Sequence, residues 1–365
     1  MRAVVAEAVF PGARSALDPA CGDGRFLAAT GLAELTGIDI DPSTPFEHDD
    51  ALRRDWGDHR FDVVVGNPPF LSQMAAATTR GGRSRFGGGP YADTAAEFLA
   101  LAVRLTRPGG RVGLVLPQSL LSARDAAEIR AAVDEVAAMR WMWWSDSLLF
   151  DAHVRVWAAV WEVGGEPGEV RRCSGDAFDP LPSAAAPRHG EWAALRVDHP
   201  PIVSTGRTLG DVATFTADFR DQYYGLVGAV GDDVDGPPLV TSGLIDPGVC
   251  HWGSRPVRFA HHRYDAPRVD LARLSPEMLR WATQRLVPKI LVANQTRVIE
   301  AVVDRQGAWL PGVPVITCRT DHLDEVMRVL SSDDATRWVH QHAAGSGLGA
   351  GSVRLNPRLL ASIPR

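Results

Sequence analysis

From its start to about residue 160 the chain repeats one pattern: a short apolar run, a turn, then a stretch with helical spacing. That alternation leaves few folds open. Parallel strands cannot be joined by a hairpin and need a crossover, usually a helix, so the pattern predicts a parallel sheet covered by helices. Strands are expected at 16–17, 35–38, 61–65, 112–116, 139–144 and 154–161. A helix is expected at 95–105, where Phe98, Leu101, Ala102 and Leu105 share one face, and Arg107-Pro108-Gly109-Gly110 stops it. An alanine-rich helix follows at 123–138. The stretch 145–153 is too short for a crossover helix, so the last two strands are expected as an antiparallel pair at one edge.

The pattern then dissolves. Residues 166–190 loosen into Pro, Gly, Ser and Ala and are read as a linker between a first domain, 1–165, and a second, 191–365. The second has strand-like pieces at 287–292, 298–303 and 313–317 and helical ones at 321–330 and 333–342, without regular alternation. A length of 365 residues fits two domains. No apolar run approaches the roughly 20 residues of a membrane span, and residues 1–15 are too mixed for a secretory signal. Four scattered cysteines suggest reduced thiols, so a cytoplasmic monomer is expected. The net charge of −6 does not advertise a nucleic-acid binder, but it is uneven: residues 1–189 hold 19 basic and 25 acidic side chains, residues 190–365 hold 19 of each. Lys289 is the only lysine, so arginine carries the positive charge.

Chemistry is concentrated where the expected strands end. Asp18-Pro19-Ala20-Cys21-Gly22-Asp23-Gly24 follows the first strand and opens a helix, the place where open α/β sheets bind ligands. Its glycines allow close backbone approach, and its acids favour a cationic or neutral nucleoside over a phosphate. Gly37-Ile38-Asp39-Ile40-Asp41-Pro42 ends the next strand, with Asp39 at the distance from the glycine turn where a ribose-binding acid belongs. His48-Asp49-Asp50-Ala51-Leu52 offers a third acid. Gly66-Asn67-Pro68-Pro69-Phe70 ends the strand after that: an amide, two stiff prolines and a ring.

In this order the four motifs resemble the S-adenosylmethionine-dependent methyltransferases that act on amino groups, most closely the gamma-class N6-adenine DNA methyltransferases of restriction–modification systems. The likeness covers about residues 10–163 and includes Arg107-Pro108-Gly109-Gly110, Leu116-Pro117 and Leu149-Phe150. It implies a Rossmann-like seven-stranded methyltransferase sheet with an antiparallel last strand pair, followed by an α+β target-recognition domain. It also implies that Asp18, Ala20, Cys21, Gly22 and Gly24 pass beneath the methionine end of S-adenosylmethionine. Asp39 and Ile40 would meet its ribose and adenine, Asp50 and Ala51 the adenine amino group, and Asn67 would border both cofactor and substrate. Such proteins carry a segment before the first strand that grips the methionine carboxylate, and residues 2–10 match only the end of its helix.

For catalysis the likeness implies Asn67, Pro68, Pro69 and Phe70. An exocyclic amine is a poor nucleophile because its lone pair is delocalised into the ring. The Asn67 amide oxygen and the Pro68 carbonyl would each accept one N–H and direct that lone pair at the methyl group. The prolines fix the carbonyls, and Phe70 stacks on a base flipped out of the duplex. Phe150 would pack on the base's other side, and the loop bearing Arg80, Arg83 and Arg85 would hold phosphates. Tyr223 and Lys289 are expected among the DNA contacts of the second domain. Double-stranded DNA and a separate restriction or defence subunit are the expected partners. No metal is expected, since Cys250-His251 and His261-His262 fit no common zinc spacing. The motif by itself also serves RNA base-amino methyltransferases (guanine N2 or adenine N6) and protein-glutamine methyltransferases; the large second domain favours DNA.

Overall fold

Residues 1–70, 86–89, 91–148, 154–187, 189–199, 201–202, 204, 206–218, 220–347 and 349–365 are described by a computed structural model. Arg80, Arg83, Arg85 and Phe150 lie outside the described residues. The chain divides into two compact units, Met1–Asp198 and His199–Arg365.

The first unit holds α1 (Arg2–Ala8), β1 (Ser15–Asp18), α2 (Arg25–Thr30), β2 (Glu34–Asp39), β3 (Glu47–His48), β4 (Phe61–Gly66), α3 (Thr94–Leu105), β5 (Thr106–Pro117), α4 (Ala127–Val136), β6 (Ala137–Trp144), β7 (Val156–Val163), β8 (Glu169–Ser174) and β9 (Asp179–Ala185). One nine-stranded sheet contains all the strands, in the order β3-β2-β1-β4-β5-β7-β6-β8-β9. Strands β1 to β5 pair in parallel, while β7 runs antiparallel to both β5 and β6. This is the α/β methyltransferase sheet expected, enlarged by two strands. The strand order reverses between β1 and β4, and in open α/β sheets the ligand crevice lies at the carboxyl ends of such strands. The sheet centre is dry on both faces: Val63, Val64 and Val65 of β4 are all fully buried.

Three expectations need correction. The antiparallel pair β6–β7 is not at the edge, because β8 pairs in parallel with β6 and β9 closes the side. Both added strands come from the stretch read as a linker. β9 is mostly exposed and contains Pro180 and Pro182, as an edge strand can, so it lacks the hydrophobic alternation that would reveal it. The chain also stays with the first unit beyond residue 190. Trp192 is wholly buried against Trp157 and Trp161, and its indole N–H donates to Asp134 at 2.8 Å. Finally, Arg107 to Gly110 does not separate helix from strand but lies within β5. Phe61 pairs with Thr106 and Val63 with Arg111, so the intervening residues form a bulge over Asp62. The guanidinium of Arg107 and the amides of Arg14 and Ser15 hold the Asp62 carboxyl well below its usual range, although burial opposes this.

In the second unit, four antiparallel strands lie in the order Thr214–Ala217, Ile316–Arg319, Lys289–Val292 and Ala301–Asp304. The helices Leu323–Leu330, Asp333–Ala343 and Pro357–Ala361 contribute Val326, Leu330, Trp338, Val339 and Leu360 to the core beside that sheet. A second cluster gathers Leu226, Phe259, Val269, Met278 and Trp281.

Candidate active site

The β1–β4 crevice gathers the motifs. Asp18, the last residue of β1, is only 1% exposed, and its Oδ1 accepts the Ala20 N–H at 3.1 Å. Burial pushes its carboxyl up to about 7; the Ala20 amide opposes this, and the negative charge of Asp39 adds to it. No cation among the described residues offsets the charge. Across the crevice β4 ends in Gly66, where a Cβ would fall 2.6 Å from Asp18 Oδ1. Only a glycine lets the two strand ends come this close, which explains the residue preceding Asn67.

The turn after β1 is locked to the end of β2. The Cys21 N–H donates to the Ile38 carbonyl at 3.0 Å, and the Gly22 N–H to Asp39 Oδ2 at 2.7 Å. Asp39 Oδ1 accepts the Asp41 N–H at 2.9 Å. Each oxygen of Asp39 thus takes one amide and keeps a second lone pair for a hydroxyl. Gly24, at φ +77°, turns the chain into α2, and the Phe46 ring lies over it. Ile40 beside Asp39 is 69% exposed, an apolar side chain on the rim. Asp50 is half-buried; its Oδ1 accepts the Leu52 N–H at 3.0 Å and its Oδ2 meets Arg53 at 3.3 Å. Ala51 is buried behind it, its carbonyl accepting the Trp56 indole N–H. Thr44 was missed in the sequence: its hydroxyl donates to the Gly22 carbonyl at 3.0 Å and lies 3.5 Å from Cys21 Sγ. Only its place just after Asp41-Pro42 could have signalled it.

Asn67 follows directly. Its Oδ1 is buried and has no hydrogen-bond partner among the described residues. A buried acceptor left unpaired costs roughly 1–3 kcal/mol, and native structures keep few of them. Pro68 is buried, Pro69 exposed, and the half-buried Phe70 packs against the apolar cluster that includes Val63, Val65 and Trp143. Asp18, Ala20, Cys21, Gly22, Gly24, Asp39, Ile40, Asp50, Ala51 and Asn67 to Phe70 thus lie at the end of β1 and β2 or on the loops after β1, β2, β3 and β4.

The two expectations in the second unit fare differently. Lys289 is not a DNA contact. It is wholly buried in the middle of the four-stranded sheet, with Nζ 2.5 Å from Asp304 Oδ2 and 3.2 Å from the Val287 carbonyl. The tight ion pair removes it from the surface, and a lone lysine in an arginine-rich chain reads as core here. Tyr223 is half-buried, packs its ring at a tilt against that of Phe259 and accepts the Ala260 N–H at 3.2 Å.

Comparison with known proteins bears on the fold of the chain. Residues 35–139 match the family model of the Eco57I restriction-modification methylase, a segment running from β2 into β6. The structure of the type IIL restriction-modification enzyme MmeI, solved in complex with DNA, superposes with a TM-score of 0.64 at 13% identity, over 96% of this chain and 61% of that one. The type IIG restriction endonuclease BpuSI gives a TM-score of 0.46 at 12% identity, over 100% of this chain and 57% of that one. A type I restriction-modification methyltransferase subunit from Streptococcus thermophilus gives 0.40 at 17% identity, over 52% of this chain and 50% of that one. The chain therefore spans between 50% and 61% of the length of these relatives. At such identities the MmeI match speaks for the fold.

Proposed function

We propose that this chain, which carries a restriction–modification methylase domain, transfers a methyl group from S-adenosylmethionine to the N6 amino group of an adenine flipped out of a specific DNA sequence. The observation that carries the proposal is the unpaired, buried Oδ1 of Asn67 at the switch point of the sheet. An amino group is the ligand such an oxygen lacks, and the Pro68 carbonyl is the natural second acceptor. Two accepted N–H groups turn the lone pair of the amine out of conjugation and toward the methyl donor, which is positioning and electrostatics rather than proton abstraction.

The residues around the turn fit the cofactor. Asp39 has lone pairs left for ribose hydroxyls, Asp50 for an adenine amino group, and Ile40 offers that adenine an apolar face. When bound, S-adenosylmethionine supplies a methyl group activated by its sulfonium charge. Asp18, buried without a counter-cation, favours a cation in the crevice. Phe70 supports the target base on one side, and Phe150 is assigned to the other. Arg80, Arg83 and Arg85 are assigned to phosphate contacts and the second unit to target recognition, in a restriction–modification or defence setting with a partner subunit.

The test uses the full chain, duplex DNA and methyl-labelled S-adenosylmethionine, with the products digested to nucleosides for mass spectrometry. N6-methyladenine in the DNA is expected, and sequencing of the modified positions gives the recognition site. Label only in RNA or in protein would overturn the proposal.

A further inference from the structure

Residues Val257–Phe259 and His262–Tyr264 form an antiparallel hairpin in the second unit, with Val257 opposite Tyr264, Arg258 opposite Arg263 and Phe259 opposite His262. Its two faces differ in chemistry. Val257 and Phe259 are buried, and the Phe259 ring lies 5.0 Å from that of Tyr223. On the other face Arg258 and Arg263 stand directly across from one another, both exposed. Neither has a hydrogen bond or ion pair among the described residues. Other arginines of this unit pair with carboxylates, Arg285 with Asp218, Arg255 with Asp246, Arg305 with Asp324 and Arg337 with Asp334, and what sets Arg258 and Arg263 apart is that they face each other across one strand pair.

Like charges directly opposite destabilise a strand pair. The turn adds to the cost. Ala260 and His261 sit at φ +47° and +67°, a two-residue reversal that Asn and Gly favour. The Ala260 N–H donates to the Tyr223 hydroxyl, so the turn is held from beneath. His261 and His262 are exposed at the tip, His262 on the same face as its partner Phe259. The carboxylate of Asp232 meets the chain just beyond the hairpin, but its two oxygens accept the amides of Asp265 and Ala266.

A strained turn that presents two unmatched guanidiniums is explained by an anion outside the protein. From this geometry we infer that the hairpin is a basic β-ribbon that grips double-stranded DNA through Arg258 and Arg263, with Tyr223 as the residue that positions it. A two-stranded ribbon fits the major groove, where arginine reaches both phosphates and guanine edges. The inference rests on the proposed function and adds where the duplex is held.

The test measures binding of the full chain, with cofactor, to a duplex bearing its methylation site and to a scrambled duplex, across a salt series. The double variant Arg258→Ala/Arg263→Ala should bind the site at least about tenfold more weakly. It should also lower the slope of log affinity against log salt by about two if both arginines meet phosphate. Cofactor binding should not change, which shows that the variant is folded; if it does change, Arg258→Gln/Arg263→Gln is judged by the same outcomes. Equal loss on both duplexes assigns the pair to phosphates, and a larger loss on the site assigns it to base edges. Unchanged DNA affinity, in a protein whose wild type binds and methylates DNA, overturns the inference and leaves the proposed function standing. A wild type that binds no duplex overturns both. Duplex RNA held as tightly through the same arginines overturns the assignment to DNA.

Discussion

Asp18 and Lys289 are both shut away from water, and the regions around them treat the buried charge in opposite ways. Lys289 lies in a closed sheet with Asp304 as counter-ion, and Asp304 also accepts the amides of Ala308 and Trp309. Burial lowers the Lys289 ammonium from its usual range, and the Asp304 carboxylate opposes that. Asp18 has one backbone amide, no cationic partner among the described residues, and a second acid, Asp39, pressing its carboxyl further up. A matched buried charge belongs to the scaffold; an unmatched carboxyl at a strand end fits the cationic ligand proposed for it.

The largest effect should come from breaking the matched pair. Lys289→Met strands Asp304 in the core and should cost about 3–5 kcal/mol of stability, read by denaturant unfolding. Adding Asp304→Asn, which removes the stranded charge and keeps an acceptor for one of the two amides, should recover part of it; no recovery would mean that Lys289 acts through packing. On the other side of the comparison, Asn67→Ala should lower methyl transfer by about 10²–10³-fold, the scale of losing one preorganised transition-state contact. Cofactor affinity should stay within about twofold by calorimetry, and its collapse would reassign Asn67 to the scaffold. Asp39→Ala should weaken cofactor binding by roughly tenfold or more, since it removes a charged hydrogen-bonding group and releases the Gly22 amide; unchanged affinity would remove Asp39 from the site.

The smallest effect is a pH dependence. With its carboxyl at about 7, Asp18 is largely protonated at pH 6 and ionised at pH 8. A cationic ligand favours the ionised form, so its affinity should rise with pH up to about 7 and level off above, by no more than tenfold per unit. Asp18→Asn should flatten that profile. A slope that persists in the variant would place the proton elsewhere.

The first unit was legible because its signals are local. β4 holds the unbroken apolar run Val63 to Val65, β1, β2 and β4 end in or run into motifs, and the motifs occur in chain order, so Asp18, Asp39, Asp50 and Asn67 could be placed near strand ends without coordinates. What escaped there lacked a hydrophobic signature: β9 is solvated, and the Arg107 to Gly110 bulge reads as a turn. The second unit was far less legible. Its core is built from short antiparallel pieces joined across long stretches, and Thr214–Ala217 pairs with Ile316–Arg319 about a hundred residues away.

The sequence by itself determined a parallel α/β sheet with motifs at its strand ends, because strand periodicity and strand-end motifs are written in consecutive residues; the likeness of those motifs to a known family is what pointed to a methyltransferase. Only the tertiary structure decided that Gly66 must be glycine to let β4 pass Asp18, that Asn67 holds an unpaired oxygen, and that Lys289 is core. It alone revealed Arg258 opposite Arg263 on one exposed face. Burial, counter-ions and cross-strand register belong to pairs of residues brought together by folding, and no single stretch of chain encodes them.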